Sequence, residues 1–289
     1  MHYEGDIFRP PSEANSILLQ VTTGCSRNKC TFCHSFREKR FQIKPDDIIF
    51  SDIEFAAQYC NRQRRVFLCD GDALIIPQKR LLKILKRIQT RLPWVTRVGT
   101  YANAKSINLK TPEQLLELKE HGLTIAYMGV ETGDDVTLTR INKGVSAETA
   151  IAMGQKIRNA DIKLSITVIL GIAGHERSDI HARETGRVLS AIDPEYVGAL
   201  SLMIVPGTPL YEDYQAGRFP LLNSEEMLRE LRTMFAHTNL TMGQFHANHA
   251  SNYLPIKARM PKDKEATLQL IDAAIAGKIR LRPEHMRGL

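Results

Sequence analysis

Apolar runs of strand length alternate with helical stripes along most of this chain, and that alternation constrains the fold more than any other feature. "SILLQVT" (16–22) is the first apolar run. Residues 46–62 then carry Ile49, Ile53, Ala56, Ala57 and Cys60 at helical spacing. "RVFLC" (65–69) is a short β-type run, and Leu81, Leu85, Ile88 and Leu92 give the next helical stripe. "VTRVGTY" (95–101) precedes "TPEQLLELKEHG" (111–122), whose punctuation predicts a helix. Thr111 caps it, Pro112 takes the first helical position, Gln114 closes a capping box and Gly122 ends it. "TIAYMGV" (124–130), a helix near 146–160, "KLSITVILG" (163–171), a helix near 178–191 and "YVGALSLMIV" (196–205) continue the series. Further helices are expected over 223–237 and 263–276.

Six strand–helix pairs imply an α/β fold, a parallel sheet wrapped by helices. The expected form is a partial (β/α)6 TIM-type barrel with a C-terminal helical extension; a doubly wound open sheet is the rival. Residues 1–215 are expected to form the core domain, and 216–289 an extension packed on it that contributes to a substrate pocket. In such folds the working residues sit at the C-terminal ends of the strands. Here every strand ends in polar or glycine-rich sequence. After the first come the cysteines; "DGD" (70–72), "YANAKS" (101–106), "ETGDD" (131–135), "GIAGHE" (171–176) and "PGTPLYE" (206–212) follow the others.

Three of the five cysteines lie in "GCSRNKCTFCHSFREKR" (24–40), as Cys25, Cys30 and Cys33 in a C-x4-C-x2-C spacing. A structural zinc ion wants four protein ligands, and His34, directly after Cys33, is awkwardly placed to be the fourth. A redox dithiol would use C-x2-C alone and leave Cys25 unexplained. An iron–sulfur cube on three thiolates leaves one iron open for another ligand. Cys60, on the apolar face of its helix, and Cys69, ending a strand, read as small buried hydrophobes. An odd, clustered set of five does not make a disulfide framework, so a reducing cytoplasm is the expected location. The N-terminus lacks a basic-then-apolar signal pattern, and "SITVILGIAG" is too short to span a bilayer, so no membrane partner is expected.

With these residues in view, the chain resembles the radical S-adenosylmethionine (radical SAM) superfamily. Members carry three close cysteines after the first strand of a partial barrel, usually as C-x3-C-x2-C; here the first gap holds one extra residue. Phe32 sits where the family favours an aromatic near the adenine. "CDGDAL" (69–74) occupies the place of the family's Gly-Gly-Glu turn, which binds the methionine amine. "MGVETGDDVTLTRINKG" (128–144), "ILGIAGHERSD" (169–179) and "PGTPLY" (206–211) resemble the subgroup of methylthiotransferases and oxygen-independent coproporphyrinogen oxidases. The resemblance spans about residues 16–215. It implies a [4Fe–4S] cluster on Cys25, Cys30 and Cys33, with S-adenosylmethionine (SAM) on the fourth iron. Gly71 would let backbone approach the ligand, and Asp70 or Asp72 would pair with its ammonium. Glu131 would take the ribose hydroxyls, and Arg140 or Lys143 the carboxylate. Gly171 and Gly174 would keep the chain close to the adenine. The chemistry implied is reductive cleavage of SAM to methionine and a 5′-deoxyadenosyl radical that takes hydrogen from a substrate.

Net charge is +7, and part of the excess surrounds the cysteines: Arg27, Lys29, Arg37, Lys39, Arg40 and Lys44, opposed by Glu38. This collar is a candidate docking face for an acidic electron donor, a flavodoxin or ferredoxin. A second basic group, Lys278, Arg280, Arg282 and Arg287, lies near the end. Only Cys60 and Cys69 remain for a second cluster, which argues against one. "FHANHASNYLP" (245–255) crowds His246, His249, Asn252 and Tyr253 between two predicted helices, as a substrate-pocket wall or as a packed loop. "RPPSE" (9–13) is a weaker candidate for the same role. A small-molecule substrate is expected. The alternatives are the same chemistry on tRNA or other nucleic acid, and a zinc-dependent nucleic-acid-binding protein without catalysis.

Overall fold

The computed structural model describes residues 1–288, and in it strands and helices alternate as the pattern predicts. Strand β1 (Ile17–Gln20) is followed by β2 (Thr22–Thr23) and β3 (Gln42–Ile43), which pair with each other. Next come α1 (Asp46–Tyr59), β4 (Arg65–Cys69), α2 (Gln78–Arg91), β5 (Arg97–Tyr101), α3 (Ala104–Asn108), α4 (Pro112–Glu120) and β6 (Leu123–Glu131). Then α5 (Asp135–Arg140), α6 (Ala147–Asn159), β7 (Lys163–Leu170), α7 (Ser178–Ile192), β8 (Tyr196–Ser201) and α8 (Pro209–Gln215) follow. The chain closes with α9 (Ser224–His237), β9 (Gln244–His246), β10 (Lys257–Arg259) and α10 (Lys264–Ile275). A mostly parallel sheet of eight strands has the order β1-β4-β5-β6-β7-β8-β9-β10. Residues Met1–Asn28, Ser35–Met128 and Lys156–Leu164 make one compact unit; Lys29–His34, Gly129–Gln155 and the chain from Ser165 onward make a second.

In the first unit β1 and β4 run parallel, Ile17 beside Val66 through Gln20 beside Cys69. Val66, Phe67, Leu68 and Cys69 are all buried, which is why β4 reads as an unbroken apolar run and not as an alternation. Helix α2 buries Leu81, Ile84, Leu85 and Ile88 and leaves Lys79, Lys83 and Lys86 exposed. Helix α4 has both halves of the capping box read from its sequence, between Thr111 and Gln114. Before β1, the buried Glu13 accepts hydrogen bonds from Ser16 at 2.5 Å, from Arg97 and from the Tyr127 hydroxyl. "RPPSE" therefore contributes a tie within the core of this unit.

In the second unit β7 and β8 alternate buried with partly exposed residues, so one face is covered and the other is not. Helix α7 packs against α9 and the loop after β6, brought close by two glycines. A side chain at Gly133 would overlap the Glu184 carbonyl, and one at Gly186 would meet His237 at 2.7 Å.

Three expectations need correcting. The strand-end segments after β5, β6 and β8 contain the short helices α3, α5 and α8, whose five to seven residues are too few to show a period. The C-terminal extension is not purely helical: β9 and β10 add two three-residue strands to the sheet, so "FHANHASNYLP" begins inside a strand. Cys60 is not on a helix face. It caps the C-terminus of α1, partly exposed, because the helix stops at Tyr59.

Removing the Thr111 cap by Thr111→Ala should cost about 1 kcal/mol. Gly133→Ala should cost more, about 3 kcal/mol, because backbone must move to admit the methyl group. Urea unfolding midpoints at constant m-value check both.

Candidate active site

The turn after β4 carries two buried carboxylates with different surroundings. Asp70 takes hydrogen bonds on Oδ2 from Gln20 at 3.1 Å and Lys39 at 3.3 Å. Its backbone amide donates to Thr22 Oγ1 at 3.0 Å. Asp72 takes hydrogen bonds on Oδ2 from Ser26 at 2.5 Å and Asn103 at 2.7 Å. Asn103 also donates to Ser26 Oγ at 2.9 Å and caps α3 through its own Oδ1. In both residues Oδ1 is buried without a hydrogen-bond partner. Burial pushes the Asp72 carboxyl up to about 6, against the pull of Ser26 and Asn103. Burial also raises Asp70, opposed by Gln20 and Lys39. A buried acceptor left open at a strand end is one that a cationic donor would fill.

Between the two carboxylates, Gly71 packs on the cysteine loop. A Cβ there would meet the Phe36 ring at 2.7 Å and Cys25 Cβ at 3.0 Å, and the Gly71 amide donates to Gly24 O at 3.2 Å. The glycine is required by its own loop, independently of any ligand. The loop's first gap turns at Asn28, whose φ is 45° and whose side chain donates to Phe36 O at 2.7 Å. Asn tolerates such a left-handed conformation well. Cys25, Cys30 and Cys33 form no disulfide and are each partly exposed.

In the second unit, Thr31 donates to Ile141 O at 3.0 Å and accepts from Leu210 N at 3.1 Å, which fixes the segment carrying Cys30 and Cys33. Phe32 packs against an apolar cluster of Ile141, Ile172, Leu202, Leu210 and Phe219. Glu131 ends β6 at a φ of 67° and pairs with Lys143 at 2.6 Å. Its carboxylate folds back over Gly129, where any side chain would overlap it. Arg140 is engaged differently. It donates to Ile172 O at 3.0 Å and lies over the Phe219 ring at 5.2 Å, but no carboxylate pairs with it among the described residues. Burial lowers its pKa, opposed by the more distant carboxylates of Asp134, Glu176 and Asp213.

Gly171 has a φ of 80° and donates its amide to the buried Glu230 at 2.6 Å; Gly174 has a φ of 68° and lies beside Phe219 and Arg140. Glu230 also accepts from Ser178 Oγ at 2.5 Å and lies 3.4 Å from His181 Nε2, so a buried polar group underpins the loop that bears both glycines.

The C-terminal candidates separate. Asn252 spends its side chain on β8, accepting from Ser201 Oγ at 2.9 Å and donating to Ala199 O at 2.8 Å. Tyr253 donates to Glu284 at 2.6 Å beneath the Arg287 guanidinium. His249 Nδ1 accepts from the Ser251 amide at 3.2 Å. These three hold the loop together. His246 lies in β9, and its ring makes no hydrogen bond among the described residues. The basic collar shrinks too. Lys44 is buried, on His2 O and Gln20, and Lys39 is drawn to Asp70 and Asp6 O. Lys29 and Arg40 remain exposed.

Sequence reasoning missed Ser26, Asn103, Gly129 and Glu230. The cap pattern in "YANAKS" marks Asn103 as a helix start, but nothing in sequence joins it to Asp72.

Residues 19–184 match the family model of the radical SAM superfamily. A stretch of 151 residues is 29% identical to an uncharacterised protein of Methanocaldococcus jannaschii, covering 52% of this chain and 42% of that one. Another of 164 residues is 22% identical to the heme chaperone HemW of Bacillus subtilis, covering 56% and 43%. Each match thus spans less than half of the curated relative. Among solved structures, the radical SAM methyltransferase TsrM of Kitasatospora setae, with cobalamin and a [4Fe–4S] cluster bound, aligns with a TM-score of 0.57 at 16% identity over 72% of this chain and 41% of that one. Coproporphyrinogen III oxidase HemN of Escherichia coli aligns with a TM-score of 0.54 at 11% identity over 77% and 53%. Likeness at these identities shows the TIM-type partial-barrel fold. The family match covers more than half of the chain, and the chain belongs to the radical SAM superfamily.

Proposed function

We propose that this chain carries out the SAM-cleaving radical chemistry implied by its family on a small-molecule substrate, with its own side chains dividing the work of holding the cluster and SAM. The observation that carries the assignment is that Asp72 has a buried, partnerless Oδ1 and no cation paired with it among the described residues, whereas Asp70, also open at Oδ1, is paired with Lys39. The residues fit the cofactors. Cys25, Cys30 and Cys33 supply three thiols for the cluster, and its fourth iron is left to SAM. Asp72 accepts the methionine ammonium, while Asp70 serves the loop through Gln20 and Lys39. Glu131 takes the ribose hydroxyls. Lys143, already paired with Glu131, positions that carboxylate, which leaves Arg140 for the methionine carboxylate. Phe32 and the chain between Gly171 and Gly174 offer apolar surface to the adenine. When bound, the cluster and SAM supply one electron to a sulfonium and a carbon radical that takes hydrogen from a substrate. The protein's share is to orient the sulfonium and to keep water out.

The exposed Lys29 and Arg40 suit docking of an acidic flavodoxin or ferredoxin. Reversing both charges should slow reduction by flavodoxin and leave reduction by dithionite as it was; equal slowing would remove the docking role.

After anaerobic reconstitution with iron and sulfide, Cys30→Ala should lose bound iron and form no 5′-deoxyadenosine with SAM and dithionite. Cys60→Ala should match the parent. Asp72→Asn should weaken equilibrium SAM binding by about tenfold to a hundredfold, the scale of a charge-assisted hydrogen bond. Asp70→Asn should act less on SAM than on stability. SAM affinity should fall as pH drops through about 6, where the raised Asp72 carboxyl protonates and loses its attraction for ammonium. Asp72→Asn should flatten that dependence, and an unchanged profile would move the ammonium site elsewhere.

A further inference from the structure

One face of the second unit's sheet is turned away from the helices. The Phe245 ring of β9 meets Phe235 of α9 at 5.0 Å. Phe245 and its ladder neighbours Val197 and Ala258 are buried on the helix side. Successive side chains of a strand alternate between faces, so Gln244 and His246 point the opposite way together with the residues in register with them. The ladders align Thr167, Gly198, His246 and Lys257 in one row, and Ser165, Tyr196, Gln244 and Arg259 in the next. All eight are partly or fully exposed, while the residues between them are buried. Ile169, next along β7 on the same side, packs against the apolar cluster that also takes Phe32. The face therefore runs from β10 to the residue beside Cys33.

The chemistry of this face is one-sided. Neither row contains a carboxylate. Lys257 and Arg259 make no ion pair among the described residues. Elsewhere in the same unit Arg183, Arg229 and Arg232 are each tied to an Asp or Glu at 2.6 to 2.7 Å. Asp263, near β10, is engaged by the backbone amide of Arg259 at 2.8 Å. Two residues apart on one strand, the two cations start roughly 7 Å from each other, close enough to share one acidic group. Between them and β7 lies room: a Cβ at Gly198 would meet nothing nearer than 3.9 Å. Burial, with the neighbouring Lys257, lowers the His246 pKa, so the imidazole stands neutral with one donor and one acceptor nitrogen.

We propose that this face binds the acidic group of the substrate, a carboxylate or phosphate ester paired with Lys257 and Arg259, with His246 and Thr167 giving hydrogen bonds over Gly198. The proposal rests on the small-molecule reading above and names its substrate class, an anion.

Two measurements test it, and they fail separately from the cofactor assignments. In the cluster-free chain, the His246 ring resonance, assigned by its loss in His246→Gln, is followed while inorganic phosphate, succinate or neutral acetamide is added. Phosphate or succinate should shift it and acetamide should not. The shift should be lost in the Lys257→Met/Arg259→Met double variant and largely kept in Lys257→Arg. In the reconstituted enzyme, a deproteinised small-molecule extract is split by anion exchange, and 5′-deoxyadenosine formation is taken as a ratio with and without each fraction. The retained fraction should raise the ratio, by about tenfold less in the double variant. Phosphatase treatment of that fraction removes the effect if the group is a phosphate ester and spares it if it is a carboxylate. Stimulation by the unretained fraction, by RNA alone or by no fraction, equal stimulation of the double variant, or a His246 ring indifferent to both anions overturns the proposal.

Discussion

A buried carboxylate with one oxygen satisfied and the other open is the interaction on which the first unit's end of the sheet depends. Desolvating an ionised carboxylate costs several kcal/mol unless donors surround it. Asp72 has donors on one side only, from Ser26 and Asn103. Those donors come from two other strand ends: Ser26 follows Cys25 in the loop beyond β2, and Asn103 starts α3 after β5. The arrangement stores an unmet demand for positive charge beside the cysteine loop, and folding alone does not meet it. Gly71 carries the same constraint into packing, because only a residue without a side chain lets the turn lie against Cys25 and Phe36.

The second unit solves the converse problem. It holds two cations close in sequence, and pairing decides which is available. Lys143 lies 2.6 Å from Glu131, in a geometry that needs a left-handed φ at Glu131 and no side chain at Gly129. A non-glycine residue at positive φ costs about 1 kcal/mol or more, and the ion pair with its cleared space offsets that cost. Arg140 is left with a carbonyl and an aromatic face, neither of which neutralises it. Sequence spacing alone treats Arg140 and Lys143 as equivalent; ion pairing distinguishes them.

What was legible in the sequence follows from how local each signal is. The Thr111–Gln114 capping box is a pattern of four adjacent residues and is present as read. Strand β4 announced itself because four consecutive apolar residues, Val66 to Cys69, need both faces covered. The short helices α3, α5 and α8 carry too few turns for a period and hid inside segments that read as loops. Strand β9 hid for another reason: Gln244 and His246 are polar because they face away from the helices, and a three-residue strand with one buried position has no alternation to detect. At the site, the cysteines and the acidic turn were visible by type and spacing. Ser26 and Glu230 were not, because a side chain that serves a carboxylate 46 residues away, or a backbone amide 59 residues away, leaves no local pattern.

The charge of the chain also takes a different meaning once its positions are known. A net +7 spread along a sequence suits nucleic acid, an acidic protein or nothing in particular. In the fold many of those cations are spent: Lys44 is buried against carbonyls and amides, Lys39 on Asp70, and arginines along the helices on neighbouring carboxylates. Such surface pairs contribute little to stability, but they remove charge from any long-range field. A phosphate backbone would need many unspent cations along one surface. Lys257 and Arg259 are two, on one strand, beside a neutral histidine and a glycine gap. Two charges at that separation match one acidic group better than a polymer, which is why a small anionic substrate accounts for them more economically than a nucleic acid does.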